Sequence, residues 1–201
     1  KTRGVLGEIQ LGNILEEIMS REQYDTNVKT KKGSDAIVEF AIKLPGKDNN
    51  DGSVYLPIDA KFPQEDYVRL QTAYEAGDPV AVEVSLKALL QAVKKFARDI
   101  SIKYIDPPHT TDFGIMFLPI EGLFAEVVRQ PDMIAFLQRE YKIVVTGPTT
   151  LAAMLNSLQM GFKTLAIQKR SSEVWNVLAA VKKEFNTFGG VLEKAQKKLN
   201  E

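Results

Sequence analysis

The sequence predicts an α/β domain built on a central mixed sheet, with a helical region behind it. Three observations carry that expectation. Two strand-forming segments flank a turn-rich cluster, a long amphipathic helix separates them from two further short apolar runs, and the rest of the chain is helical in pattern. A hairpin is antiparallel, whereas strands separated by helices pair in parallel, so the sheet must be mixed.

The elements follow in order. Residues 3–20 place Ile9, Leu11, Ile14, Leu15, Ile18 and Met19 at helical spacing, the mark of a helix with one apolar stripe. A short, exposed strand is predicted around Tyr24–Val28. Asp35–Leu44 and Val54–Lys61 are rich in strand formers, and Pro-Gly-Lys-Asp-Asn-Asn-Asp-Gly between them signals a turn, which makes the pair an antiparallel hairpin. Pro57 cannot donate to a ladder and belongs at an unpaired position or a bulge. A long helix is predicted over Pro79–Tyr104, stopped by Pro107-Pro108. A strand at Phe113–Leu118, a helix from Glu121, a strand at Ile143–Thr146 and a helix opening at Pro148 complete the α/β portion, expected to span residues 1–170. Residues 171–201 read as a helical extension leading toward a coiled coil, with a break near Gly189-Gly190.

Composition narrows the chemistry. The 201 residues are 44% hydrophobic and 26% charged, enough for a sizeable core. Basic and acidic side chains number 26 each, so a nucleic-acid partner would have to be met by a local basic patch. From Arg139 onward ten basic residues face five acidic ones, which is either such a patch or a solvated helical face. With no cysteine, disulfides and thiolate metal sites are excluded. The single histidine, His109, lies in a Pro-Pro-His turn, which argues against histidine metal sites and serine-histidine triads. No run approaches the ~18 apolar residues of a membrane helix. The first residue, Lys1, and the charged helical pattern at the other end suggest a segment of a longer protein.

The candidate site is a set of carboxylates and a lysine. Folding the hairpin about a turn near Asp48 is expected to bring Asp35, Asp59 and Lys61 together, with Asp59 and Lys61 on one face of their strand. Glu8 lies beside the apolar stripe of the first helix, where a carboxylate needs a partner. A divalent cation shared by Glu8, Asp35 and Asp59 would supply it, magnesium favouring carboxylates, waters and phosphate oxygens. Lys61 would then orient or deprotonate an attacking water or stabilise transition-state charge. The bland alternative is a surface ion pair.

Several other features stay open on spacing alone. Ser101 and Lys103 either contact a phosphate or, for Lys103, cap the helix end. Gly147-Pro148-Thr149-Thr150 either presents amides to an anion or is an ordinary strand-to-helix turn. Gln168-Lys169-Arg170 is a phosphate contact or a solubilising patch. Trp175, Phe185 and Phe188 are expected to pack rather than stack on bases.

Arg3-Gly4-x-x-Gly7-Glu8, Asp35-Ala36-Ile37-Val38 and Ile58-Asp59-Ala60-Lys61-Phe62-Pro63 with Tyr67 resemble the RmuC family of bacterial DNA recombination proteins. The similarity continues through Ile100-Ser101-x-Lys103-Tyr104-Ile105, Phe113–Pro119, Glu121, Gly147–Leu151 and Leu158–Phe162, covering nearly the whole chain. The resemblance implies a restriction-endonuclease-like, PD-(D/E)xK core. Its metal acids and lysine would fall on Asp35, Asp59 and Lys61, with Glu8 as the helix-borne acid and Mg2+ or Mn2+ as the metal. Leu6 and Ser34 depart from the family pattern, which usually has an aromatic and a proline there. The resemblance further implies a bacterial cytoplasmic domain, anchored to the inner face of the membrane by a segment outside this chain and assembled as a homo-oligomer through a flanking coiled coil. The expected partner is DNA, contacted through Ser101, Lys103, Lys169 and Arg170, with no small-molecule cofactor. The resulting expectation is a metal-dependent DNA nuclease acting in recombination; the rival is a non-catalytic DNA-binding or scaffolding module on the same fold.

Overall fold

The computed structural model describes residues 2–45 and 53–199. The residues are grouped into two compact units, Lys1–Asn156 and Ser157–Glu201.

The first unit is a five-stranded sheet in the order β1-β2-β3-β4-β5, flanked by helices. Helix α1 (Thr2–Ile18) buries Leu11 and Leu15, with Met19 just beyond it. The buried stripe is narrower than the sequence pattern, because Ile9 is exposed. A 3-10 turn at Arg21–Gln23 leads into β1 (Tyr24–Val28), which pairs antiparallel with β2 (Val38–Leu44), itself antiparallel to β3 (Val54–Ala60). The expected hairpin is present, but β2 begins at Val38 rather than Asp35, after a turn closed by the Ser34 N–H on the Lys31 carbonyl. The residues around Asp48 lie outside the described ones.

Pro57 pairs with Ala41 in an unbroken register, so it makes no bulge. Its neighbours Tyr55 and Lys61 donate toward the β4 side, to the His109 and Phe117 carbonyls, and the β3–β4 ladder starts one residue after Pro57, at Ile58. The missing donor therefore falls where no ladder bond is required.

Helix α2 (Gln64–Glu75), which the sequence pattern did not predict, and α3 (Pro79–Tyr104) carry the chain from β3 to β4 (Gly114–Phe117), which is parallel to β3. Asp78 fixes the start of α3 by accepting from the Val80 and Ala81 N–H groups at 3.0 and 3.1 Å, with Pro79 pre-set in the first turn. Leu89, Val93, Ala97 and Ile100 of α3 pack with Met116 and Leu118 in the core. Two helices, α4 (Glu121–Val128) and α5 (Pro131–Tyr141), then cross to β5 (Ile143–Thr146), parallel to β4.

The last helix, α6 (Pro148–Leu199), starts in the first unit, where Leu151 and Leu155 are buried. It runs through Gly189-Gly190 without the expected break. In the second unit Trp175 and Phe185 are each 71% exposed, so neither packs as anticipated; Phe188 falls outside the described side chains. No helix among the described residues is long and apolar enough to cross a membrane.

Candidate functional site

The site grows out of the β2–β3 register. Phe40 stands opposite Ile58, and one residue further along the same register Glu39 stands opposite Asp59. Alternation puts Glu39, Asp59 and Lys61 on one face, while Val38, Phe40 and Ile58 turn to the other. Asp59 is 1% exposed, near the end of β3, where its carboxylate is ion-paired with Lys61. Lys61 follows the strand and is held from both sides. Its N–H donates to the Phe117 carbonyl of β4 at 2.9 Å, and its ammonium also donates to the Ala60 carbonyl at 3.2 Å.

Four further groups converge on this pair. Glu39 carries a buried carboxylate oxygen, Oε2, that receives no hydrogen bond. Glu8, half-buried on α1, approaches Glu39 closely enough for their carboxyls to share a hydrogen bond. From the last turn of α3 the Tyr104 hydroxyl comes within hydrogen-bonding reach of Asp59, and the exposed Lys103 adds positive charge nearby.

The electrostatics record this crowding. Burial, then the charges of Asp59 and Glu8, push the Glu39 carboxyl up to about 8, with Lys61 opposing. Burial also raises Asp59 above the usual aspartate range, against the pull of Lys61 and Lys103. Tyr104 is pushed up to about 12 by burial and by the Asp59 and Glu39 charges beside it. Acids packed together and desolvated need a proton or a cation between them. One lysine does not complete the set.

Of the residues expected to meet, Asp59, Lys61 and Glu8 do, whereas Asp35 does not. Asp35 lies before β2, its side chain wholly exposed and paired with Lys29 at 2.7 Å. The register places Glu39, four residues later, across from Asp59. The physical reason is the turn at residues 31–34, which delays the strand. Glu39 was legible as a carboxylate inside the apolar run Ile37-Val38-Glu39-Phe40-Ala41-Ile42. A charge there is costly without a purpose.

The remaining candidates separate. Lys103 is beside the cluster; Ser101, in the same last turn, uses its carbonyl to accept from the Ile105 N–H. Lys169 and Arg170 belong to α6 in the second unit, and their side chains lie outside the described ones.

 Gly147-Pro148-Thr149-Thr150 is a strand-to-helix turn in which the Gly147 and Thr149 amides are engaged within the chain. Glu121 accepts from the Thr149 N–H at 2.5 Å, and the Gly147 N–H donates to Thr150 Oγ1 at 3.3 Å. His109 is a turn residue, its N–H on the Asp106 carbonyl. Among the described residues no three histidine, aspartate or glutamate side chains are already closed into a metal-ligating group.

A mixed five-stranded α/β domain with an acid–lysine cluster around a buried Asp59, at the end of its β2–β3 hairpin, is thus the class the fold and site define. The RmuC family model matches residues 1–201, and the chain belongs to that family. It is 54% identical over 200 residues to a DNA recombination protein RmuC homolog of Xylella fastidiosa, covering 100% of this chain and 44% of that protein. The DNA recombination protein RmuC of Escherichia coli K12 is 27% identical over 212 residues, covering 98% of this chain and 42% of that protein. A homolog in Pseudomonas aeruginosa is 25% identical over 211 residues, covering 100% and 44%. The chain spans less than half the length of these curated relatives. No solved structure matches it.

Proposed function

We propose that this domain is a metal-dependent phosphodiesterase acting on DNA during recombination, with its β2–β3 hairpin serving as a PD-(D/E)xK-type site. The observation that carries this reading is the trio of half-buried Glu39 and Lys61 around the buried Asp59, with Glu8 against Glu39. The names of its RmuC relatives supply the DNA and the recombination. In Asp59-Ala60-Lys61 the acid and lysine share a strand face, and Glu39, rather than Asp35, is the first acid.

The residues fit a hard divalent cation. The donors are all carboxylate oxygens, and Glu39 Oε2 is buried without a hydrogen-bond donor, so an oxygen-seeking ion such as Mg2+ or Mn2+ is the partner the donor set favours. Glu39 and Asp59 would hold it, with Glu8 completing the set from α1. When bound, it would supply Lewis-acid charge against the phosphodiester. The chain's own residues do the rest. The Lys61 ammonium, fixed on Asp59, stands where it offsets negative charge developing on a phosphoryl oxygen or passes a proton. The Tyr104 hydroxyl, within hydrogen-bonding reach, steadies Asp59, and Lys103 draws the anionic backbone toward the cluster.

DNA cleavage by the purified protein with magnesium tests the proposal. Asp59→Ala and Lys61→Ala are expected to slow cleavage by roughly 10²–10³-fold, the usual loss when one charge-stabilising group is removed. Cleavage at the wild-type rate by both variants would refute this site, whereas metal-independent DNA binding that survives Asp59→Ala, with no cleavage by the wild type, would favour the non-catalytic DNA-binding module.

A further inference from the structure

The β1–β2 connection carries Lys29, Lys31 and Lys32 within four residues and is fastened to the end of α3. Thr30, itself buried, donates through Oγ1 to the Tyr104 carbonyl at 2.8 Å. Lys31 Nζ donates to the Ile102 carbonyl at 2.9 Å, and the Lys32 N–H donates to Asp106 Oδ2 at 3.0 Å. All three anchors bracket Lys103 and Tyr104, the two α3 residues that reach Asp59. The loop is therefore held in place beside the acid cluster.

What the loop offers is cationic. Lys31 is consumed at the carbonyl end of α3, where a cation is favoured. Lys29 and Lys32 are exposed along an open cavity of about 620 Å3 that Ser34, Tyr55 and His109 also line. The one carboxylate in that lining, Asp35, is spent on Lys29. Two ammonium groups and neighbouring hydroxyls around an open cleft suit phosphate oxygens. The cluster around Asp59 already accounts for the reacting phosphate, so a second anion-holding surface serves only a substrate that extends past it.

We infer that loop 29–35 grips the sugar-phosphate backbone of a polynucleotide strand a few nucleotides from the bond presented at Asp59, so that the site takes long strands rather than short phosphate esters. This rests on the phosphodiesterase reading and adds to it a strand-binding surface outside the Asp59 cluster. Asp35 acts in it as an electrostatic brake on Lys29, not as a metal ligand.

The test is fluorescence anisotropy with a labelled strand of about 30 nucleotides in EDTA, between roughly 50 and 200 mM KCl, so that no turnover intervenes. Lys29→Ala with Lys32→Ala should weaken binding about tenfold and flatten the log–log salt dependence by roughly 0.7 for each phosphate no longer neutralised. Arginine at both positions should restore it, and Asp35→Asn should tighten binding about two- to threefold. Unchanged affinity and salt slope in the double alanine variant, with its thermal unfolding like wild type, would overturn the inference, as would weaker binding by Asp35→Asn. A lysine effect on binding in a protein that never cleaves DNA would sink the enzymatic reading and leave the strand grip standing.

Discussion

The two ends of the β2–β3 hairpin carry polar clusters of opposite character. Toward the start of β3, Asp25 accepts from the Tyr55 hydroxyl at 2.6 Å and from Lys43 Nζ at 3.1 Å, so both carboxylate oxygens are satisfied. Chiefly through the Tyr55 hydroxyl, its carboxyl is held below the usual aspartate range. At the far end Glu39 keeps a buried oxygen without a donor and sits among other acids, its carboxyl pushed up to about 8. The same strands build both. A structural cluster closes its hydrogen bonds within the chain, whereas a binding site leaves some of that capacity for a ligand.

Breaking the open end should have the larger effects. Glu39→Ala should reduce magnesium-dependent cleavage by roughly 10²-fold or more, while Asp35→Ala should leave the cleavage step itself intact in a single-turnover assay with saturating enzyme. Equal losses would restore Asp35 to the site. Glu39→Gln should stabilise the fold in metal-free urea titrations by about 1 kcal/mol, since it removes a repelled, desolvated carboxylate and keeps its shape. A destabilised Glu39→Gln would show that the acid has a structural role of its own.

The closed end should behave in the reverse way. Tyr55→Phe is expected to cost about 1 kcal/mol of stability, a modest figure because Asp25 is partly exposed, with no change in the rate of the cleavage step. The pH dependence follows from the signs. Asp25 is depressed from 3.8, so its contribution is complete above that value and is lost as pH falls through the lower folded value. Tyr55 is raised from 10 to about 12, so its contribution is complete below pH 10 and is lost as pH rises toward 12. Urea midpoints of wild type and Tyr55→Phe should therefore converge below pH 3.8 and above pH 10; a constant difference across pH would break the assignment.

Where local chemistry was strong, the sequence was legible. Helix α3 matches the predicted Pro79–Tyr104 because Asp78, Pro79 and the following apolar stripe all point to one element. The strands Tyr24–Val28 and Ile143–Thr146 also match. Helix α2 was hidden because it buries only Tyr67, Leu70 and Ala73, a stripe too sparse to stand out from a polar segment. Gly189-Gly190 failed to break α6 although each glycine costs about 1 kcal/mol against alanine in a helix. At the candidate site the sequence brings Asp59, Lys61 and Glu8 together, as the structure does, but expects Asp35 where the register places Glu39. The two differ by four residues, an even number, so alternation assigns them to the same face. Only the turn at residues 31–34 decides which is in the strand.

That parity bears on how the domain tolerates changes in length. Removing one residue from β2 would exchange its two faces, and unfolding would reveal the lesion at once. Removing two would restore the alternation and allow a folded product, yet slide Glu39 off its place opposite Asp59. Inherited deletions of the second kind would be silent in expression and solubility and visible only in function, and paired insertions along this hairpin are where lineages of the fold would part from its chemistry.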